Sequence, residues 1–191
     1  MWQQTAYRAL VDLVRCTSDE LSPARRVELR ALLDAVFGDR FTDDDWAHAL
    51  GGVHLLAIVD GALVGHASVV PRTLHLAASA WPDRCVVAGF VEAVATAAEH
   101  RRRGIGSALM RAAAAEITAG YQLGALSADD LGFYGRLGWM AWQGPTSVVR
   151  DGTWLRTPDD DAVVMVLLQN TSETIDLTSP IACEDRPGDP W

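Results

Sequence analysis

The chain has 191 residues, 49% of them hydrophobic and 21% charged, a balance that suits one globular domain and excludes an intrinsically disordered chain. No apolar run reaches the roughly 18 residues of a membrane span, and the opening MWQQTAYRAL lacks a basic segment leading into an apolar one, so no membrane association or secretion is expected and the compartment is read as cytoplasmic. A net charge of −9 argues against nucleic acid or an acidic membrane as partner and suits a cationic ligand, provided the acids converge on one site.

Residues 6–16 read as a first strand. SPARRVELRALLDAVF follows as a helix, with Ser22 as N-cap, Pro23 at the first helical position and apolar residues at helical spacing. TDDDWAHAL reads as a second, short helix, with Thr42 and Asp45 forming a capping box in which Asp replaces the usual Glu. In GGVHLLAIVDGALVGHASVVPRTLHL, Asp60-Gly61 between two strand-like runs signals a hairpin. A long strand over 86–96, a helix over 104–119 and a buried strand in YQLGALS come next. A short helix over 129–137 is stopped by Gly138, and WMAWQGPTSVV and AVVMVLLQ read as closing strands before a polar, acidic tail. The order β-α-α-β-β-β-α-β-α-β-β predicts a mixed α/β sheet in a single domain spanning 1–191.

Cys16, Cys85 and Cys183 are widely scattered and form no CxxC, so reduced thiols are expected, with Cys85, at a strand start, in the core. His48 and His54 stand six apart across a Gly-Gly, while His66, His75 and His100 are isolated. That is no metal-ligand spacing; strand or surface histidines are expected, and no metal.

Between the 86–96 strand and the following helix the chain reads RRRGIGS. A helix N-terminus offers unpaired backbone N–H groups and a partial positive charge, which together favour a phosphate or pyrophosphate. Gly104 and Gly106 let such a group approach the backbone, Arg101, Arg102 and Arg103 add charge-assisted contacts, and Ile105 and Ser107 begin the helix. A P-loop would need a Lys that this turn lacks, and a dinucleotide fingerprint would need Gly where the chain has Leu109. An ordinary exposed turn is the alternative.

The pattern [RQ]-x-x-G-x-[GA], met by Arg101, Gly104 and Gly106, resembles the acyl-CoA pyrophosphate signature of the GNAT acetyltransferases. FTDDDWAHALGGVH, GFVEAV, YQLGALS, GWMAWQGPTSV, RTPDDD and the terminal GD-x-W further resemble the aminoglycoside 2′-N-acetyltransferases, collinearly from about residue 29 to 191. The resemblance implies a GNAT-like α/β domain, its mixed, mostly antiparallel sheet flanked by helices, and acetyl-CoA as cosubstrate. It also implies a homodimer and direct acetyl transfer to the 2′-amine of an aminoglycoside, giving antibiotic resistance. The backbone of Val94, Ala95 and Thr96 would bind the pantetheine, Arg101 to Ser107 the pyrophosphate, and an N–H near Val94 would serve the oxyanion.

Glu92, inside an apolar strand, is either a strand-edge residue with solvent access or a buried acid facing a cleft. By the resemblance it takes the amine proton, through water, while Tyr134 protonates the CoA thiolate; burial would raise the Glu92 pKa toward that of a useful base. Asp39, Arg40, Ala93, Ser127, Asp159, Asp160, Asp189 and Trp191 join Glu92 as the implied drug-contacting set, with the tail over about 170–191 completing the site. A free terminal carboxylate on Trp191 would add one anion. From composition alone the DDD run is a solvated turn and the tail disordered. One departure stands out: where the family reads G-D-F this chain reads GDRF, so strict spacing puts Arg40 at the Asp position, with Asp39 available after a one-residue shift. The segment between Ser127 and Tyr134 is also about two residues shorter than in some relatives. Two other functions remain open: a GNAT enzyme for another cationic amine, and a protein that binds CoA or its ligand without turnover.

Overall fold

A mixed sheet of ten strands frames the protein, in a computed structural model that describes residues 11–77, 84–169 and 175–191. The strands are β1 (Asp12–Thr17), β2 (Val53–Val59), β3 (Ala62–Leu76), β4 (Arg84–Thr96), β5 (Leu123–Ser127), β6 (Met140–Ala141), β7 (Thr146–Arg150), β8 (Thr153–Arg156), β9 (Val164–Leu168) and β10 (Ile181–Glu184). Among the described residues four α-helices accompany them: α1 (Pro23–Phe37), α2 (Asp43–Ala49), α3 (Ile105–Gly120) and α4 (Leu131–Gly135). The sheet runs β6-β9-β5-β4-β3-β10-β7-β8, with β2 on the first half of β3 and β1 beyond it. Among the described residues only β4 with β5 and β10 with β7 are parallel.

Local chemistry accounts for much of this. Ser22 Oγ accepts from Arg25 N–H at 3.2 Å and starts α1. Thr42 and Asp45 form both halves of the expected capping box at 3.2 and 2.8 Å. Asp60 and Gly61 both take positive φ, 51° and 83°, which turns β2 into β3 with the twist a two-residue hairpin needs. Asp151 and Gly152 repeat that geometry, at 49° and 73°, and make the β7–β8 hairpin, a turn signal that the sequence reading passed over. The expected closing strand WMAWQGPTSVV breaks into β6 and β7. The first strand keeps only Asp12–Thr17; residues 6–10 of the expected one lie outside the described residues.

The tail holds a second surprise. Its segment Ile181–Glu184 is neither loop nor edge but a strand between β3 and β7, antiparallel to the first and parallel to the second. Cys183 there is fully buried, whereas Cys85, expected in the core, is exposed and meets His75 Nδ1 at 3.3 Å. The reason is alternation: at that end of β4 Val86 and Ala88 face the core, so Cys85 and Val87 face outward.

Successive β2 residues sort the two faces. Leu55, Ala57 and Val59 pack with Leu109, Met110, Ala113 and Ile117 of α3, while Leu56 packs with Leu29 and Leu33 of α1. Gly89 allows the close seat of α3, since a Cβ there would come within 2.8 Å of Ile117 and 2.9 Å of Tyr121. The tail packs farther along, where Ile181, Cys183 and Trp191 join Val86, Ala88, Phe90 and Trp142.

Arg72 ties the tail down. It is 4% exposed and donates to Glu184 Oε1 (3.1 Å), Glu184 O (3.0 Å) and Pro190 O (2.7 Å), with its guanidinium 4.6 Å above the Phe90 ring. Replacing it with Leu leaves two carbonyls without their donor. We expect Arg72→Leu to cost about 3 kcal/mol, read as a lower urea midpoint at unchanged m-value.

Candidate functional site

β4 stays paired to β3 from Leu76↔Arg84 to Gly65↔Thr96, but β5 accompanies it only from Ala88↔Leu123 to Phe90↔Ala125. Past Phe90 the parallel strands part, and a cavity of about 590 Å³ opens at the fork. Its wall takes Glu92, Ala93 and Val94 from β4 and Ser127 from β5. Tyr134 comes from α4, Asp159 and Asp160 from the short turn Pro158–Asp160, and Asp189 and Trp191 from the tail. Nine residues singled out from sequence thus meet on one surface, although they span a hundred positions of chain. Asp39 and Arg40 are not among the lining residues; the α1 end contributes Phe37. Sequence reading missed Phe37, Phe90, Asp129, Asp130 and Phe133, of which Asp130 carried a signal: it caps α4, accepting from Phe133 N–H at 3.0 Å.

The wall is acidic. Glu92, Asp129, Asp130, Asp159, Asp160 and Asp189 all line it. Burial pushes the Glu92 pKa up, opposed by the nearby guanidiniums of Arg186 and Arg72. Asp160 is also raised, by burial first and then by the charges of Asp189, Asp159 and Asp161, against a Thr157 hydrogen bond that lowers it. Tyr134 is pushed up to about 12 by burial and the charge of Asp130, so its hydroxyl keeps its proton at neutral pH. Arg186, which the sequence did not flag, sets its Nη2 2.8 Å from Glu92 Oε1, close enough for an ion pair but without the alignment of a hydrogen bond. The two side chains are 14% and 15% exposed, and the guanidinium also lies 5.8 Å from the Phe90 ring.

Beneath the cavity β4 carries a bulge. His66 faces Ala95 and Ser68 faces Glu92, so Ala93 and Val94 together oppose Ala67. The bulge puts Ala93 at φ 51°, the left-handed region, where a non-glycine residue is strained by about 1–2 kcal/mol. It also changes the strand's alternation: Val91 and Val94 both pack on the α3 side, Ala93 and Ala95 on the α1 side. Under it runs a polar chain where the sequence predicted only strand or surface histidines. His66 Nδ1 bonds Ala93 O at 2.8 Å, His66 Nε2 meets His54 Nδ1 at 3.0 Å, and His54 Nε2 meets Ser18 Oγ at 2.8 Å. Both rings are fully buried, and burial lowers their pKa values to about 4 for His54 and about 3 for His66.

Beyond the end of β4 lies a second charged feature. Gly104 caps α3 at φ 85°, and Arg101 Nε donates to Thr96 O at 3.2 Å. Arg101, Arg102 and Arg103 are exposed and enter no ion pair among the described residues. Ala95 is buried and Thr96 half-buried, and none of Ala95 to Ser107 lines the acidic cavity. A free strand edge thus leads from an acidic pocket to a basic helix start.

The model of the acetyltransferase (GNAT) domain matches residues 19–141. Over 179 residues the chain is 41% identical to the aminoglycoside 2′-N-acetyltransferase of Mycolicibacterium fortuitum, covering 92% of this chain and 89% of that protein. The chain belongs to the aminoglycoside 2′-N-acetyltransferase family of GNAT enzymes. Solved GNAT structures share its fold. The GNAT family N-acetyltransferase YhbS of Escherichia coli, in complex with CoA, matches with a TM-score of 0.62 at 16% identity, over 95% of this chain and 93% of that one. A GNAT family acetyltransferase of Brucella melitensis, in complex with acetyl-CoA, matches with a TM-score of 0.56 at 19% identity, over 91% and 96%.

The protein is therefore an acetyl-CoA-dependent N-acetyltransferase. The features present suit that cosubstrate: an unpaired strand edge for an amide-bearing chain, and a basic helix N-terminus for its phosphates. Removing two exposed charges there should weaken binding without touching the fold. We expect Arg102→Ala/Arg103→Ala to raise the Kd for acetyl-CoA about tenfold or more, to flatten its salt dependence and to leave the melting temperature unchanged, as calorimetric titration and thermal melts would show.

Proposed function

We propose that this enzyme acetylates the 2′-amine of aminoglycosides by direct transfer from acetyl-CoA in a ternary complex, conferring resistance. The observation that carries this reading is the convergence of six carboxylates on one cavity at the β4–β5 fork. An aminoglycoside carries several ammonium groups, and a ring of acids in a cleft raises its local concentration and pairs with it. The 41% identity to the M. fortuitum enzyme supports the choice of acceptor. The same reading has the enzyme act in the cytoplasm as a homodimer, with the tail forming one wall of the acceptor site.

Three groups divide the chemistry. Glu92 takes a proton from the 2′-ammonium through water, so that the free amine attacks the acetyl carbon. The Val94 N–H beside the bulge donates to the thioester oxygen as negative charge develops there. As the carbon–nitrogen bond forms and the carbon–sulfur bond breaks, the attacking nitrogen sheds its second proton to water, Tyr134 gives its hydroxyl proton to the departing thiolate and is reprotonated from that water, and Glu92 releases its proton to solvent. Arg186 and Arg72 oppose the rise that burial imposes on the Glu92 pKa.

The acceptor is tested by thiol release from acetyl-CoA with gentamicin, tobramycin and amikacin. Turnover is expected with the first two; amikacin bears a hydroxyl in place of the 2′-amine and should give none. Turnover with amikacin, or with none of the three, rejects the reading. Tyr134→Phe should lower kcat about 10²-fold at unchanged acetyl-CoA affinity. The pH profile carries a sign. A base must be unprotonated, and burial holds Glu92 above its ordinary value, so the acid limb of kcat/KM should lie above the usual carboxylate range. Arg186 opposes that rise; Arg186→Met should therefore move the limb to still higher pH, and a limb that stays put or moves down contradicts the assignment.

A further inference from the structure

The chain Ser18–His54–His66 ends on the carbonyl of the one strained alanine in the cavity wall, and its proton order can be worked out from its ends. A carbonyl only accepts, so His66 Nδ1 carries the hydrogen that bonds Ala93 O. In a neutral ring Nε2 is then an acceptor, and the hydrogen between the two rings belongs to His54 Nδ1. His54 Nε2 in turn accepts from the Ser18 hydroxyl, whose oxygen accepts from Gly51 N–H at 2.9 Å. Every ring nitrogen is satisfied with both rings neutral, and reversing any one link orphans a buried polar atom.

In a trans peptide the C=O and N–H point in opposite directions. Anchoring Ala93 O to His66, on the α1 side of the sheet, therefore turns the Val94 N–H toward the α3 side, where Tyr134 and Phe133 pack. Val94 lines the cavity and lies beyond the last β4–β5 pair. The geometry points to His66, held in one tautomer by His54 and Ser18, as a positioning residue that aims the Val94 amide at the acetyl carbonyl. This rests on the Val94 amide being the thioester's donor, but not on which amine is the acceptor. His66 touches no substrate; it acts through one peptide plane. Left to itself Ala93 would relax out of the left-handed region, and the amide would rotate with it.

The test uses the full-length protein with acetyl-CoA carrying a ¹³C carbonyl, and two substitutions that separate the ring nitrogens. The Asn amide in His66→Asn stands where Nδ1 stood and can still hold Ala93 O; the Gln amide in His66→Gln stands nearer Nε2 and meets His54 instead. Isotope-edited infrared spectra should show the bound carbonyl stretch lowered in the parent protein and in His66→Asn, and returned toward its free value in His66→Gln. With an acceptor present, kcat should fall about 10- to 100-fold in His66→Gln, stay within about threefold of the parent in His66→Asn, and KM should hardly move. Nitrogen NMR should find Nδ1–H on both His54 and His66 of the parent. A stretch equally lowered in His66→Gln overturns the proposal. So does loss of the shift in both variants in step with their melting temperatures, which would make the role structural, or an Nε2–H tautomer on His66, readable even if neither variant folds. An unshifted carbonyl in the parent removes the Val94 donor and the proposal with it. A shifted carbonyl without turnover on any aminoglycoside rejects the acceptor and leaves the proposal standing.

Discussion

β4 keeps its hydrogen bonds to β3 along its length but gives up those to β5 after Phe90. A parallel pair that parts in this way leaves backbone donors and acceptors in need of partners, and a buried peptide group without one is costly. Two outcomes satisfy them: solvent, or a ligand that runs along the strand as a further strand would. The fork thus makes a binding edge in the middle of a sheet, where an outer edge would have invited aggregation. The bulge at Ala93 and Val94 adds to this by interrupting alternation, so that consecutive residues from Phe90 to Val94 all reach the cavity. A regular strand would have shown only every second one.

The tail closes the other side of that cavity, and two arginines hold it. Arg72 reaches three oxygens of the tail from β3, and Arg186 reaches back from the tail to Glu92; both guanidiniums lie over the Phe90 ring. Arginine suits the task because a planar, weakly hydrated cation can be buried against an aromatic face while its edge still donates. The consequence is electrostatic as well as structural. Six carboxylates gather around one cavity, and Asp160, raised first by burial, is raised further by its acidic neighbours. The buried cations oppose such a rise at Glu92, the most enclosed of the six.

What the sequence revealed follows the range of the interactions involved. Both helix caps, the Asp60-Gly61 hairpin and the strand–turn–helix with Gly104 as its left-handed cap are written in four to seven adjacent residues, and all are found. The collinear family stretches led to nine of the cavity's residues for a different reason, since resemblance carries long-range placement that periodicity lacks. β10 was invisible because a four-residue strand set in a polar tail has too little pattern, and its partners, β3 and β7, lie far off in the chain. The His54–His66 contact was hidden by a single register shift at Ala57/Ile58. It moves Leu56 opposite His66 and His54 opposite Ser68, and so sets the two rings diagonally on one face. Counting back from the turn without that shift puts them on opposite faces. Arg186 carried no signal at all, because its meaning lies in a carboxylate 94 positions earlier.

The two ends of the exposed β4 edge are of opposite sign, acids around Glu92 and arginines after Thr96, and the stretch between them is uncharged: Ala93, Val94 and Ala95. Each end suits a ligand of the other sign, and in the ternary complex we propose these are a cationic amine and a phosphate-bearing thioester. The place where they meet has to treat the reacting atoms differently. During attack the acceptor nitrogen gives up positive charge while the carbonyl oxygen gains negative charge. A fixed carboxylate beside the oxygen would oppose the change, and a fixed cation would compete for the carboxylates that bind the amine. A backbone amide held in place by a neutral histidine pair does neither. It offers a dipole without net charge, and an aimed donor is effective because nothing must reorient as the charge develops. Burial holds both rings of the pair beneath the bulge neutral, and in the proposed mechanism this keeps a full charge from standing behind the peptide that donates.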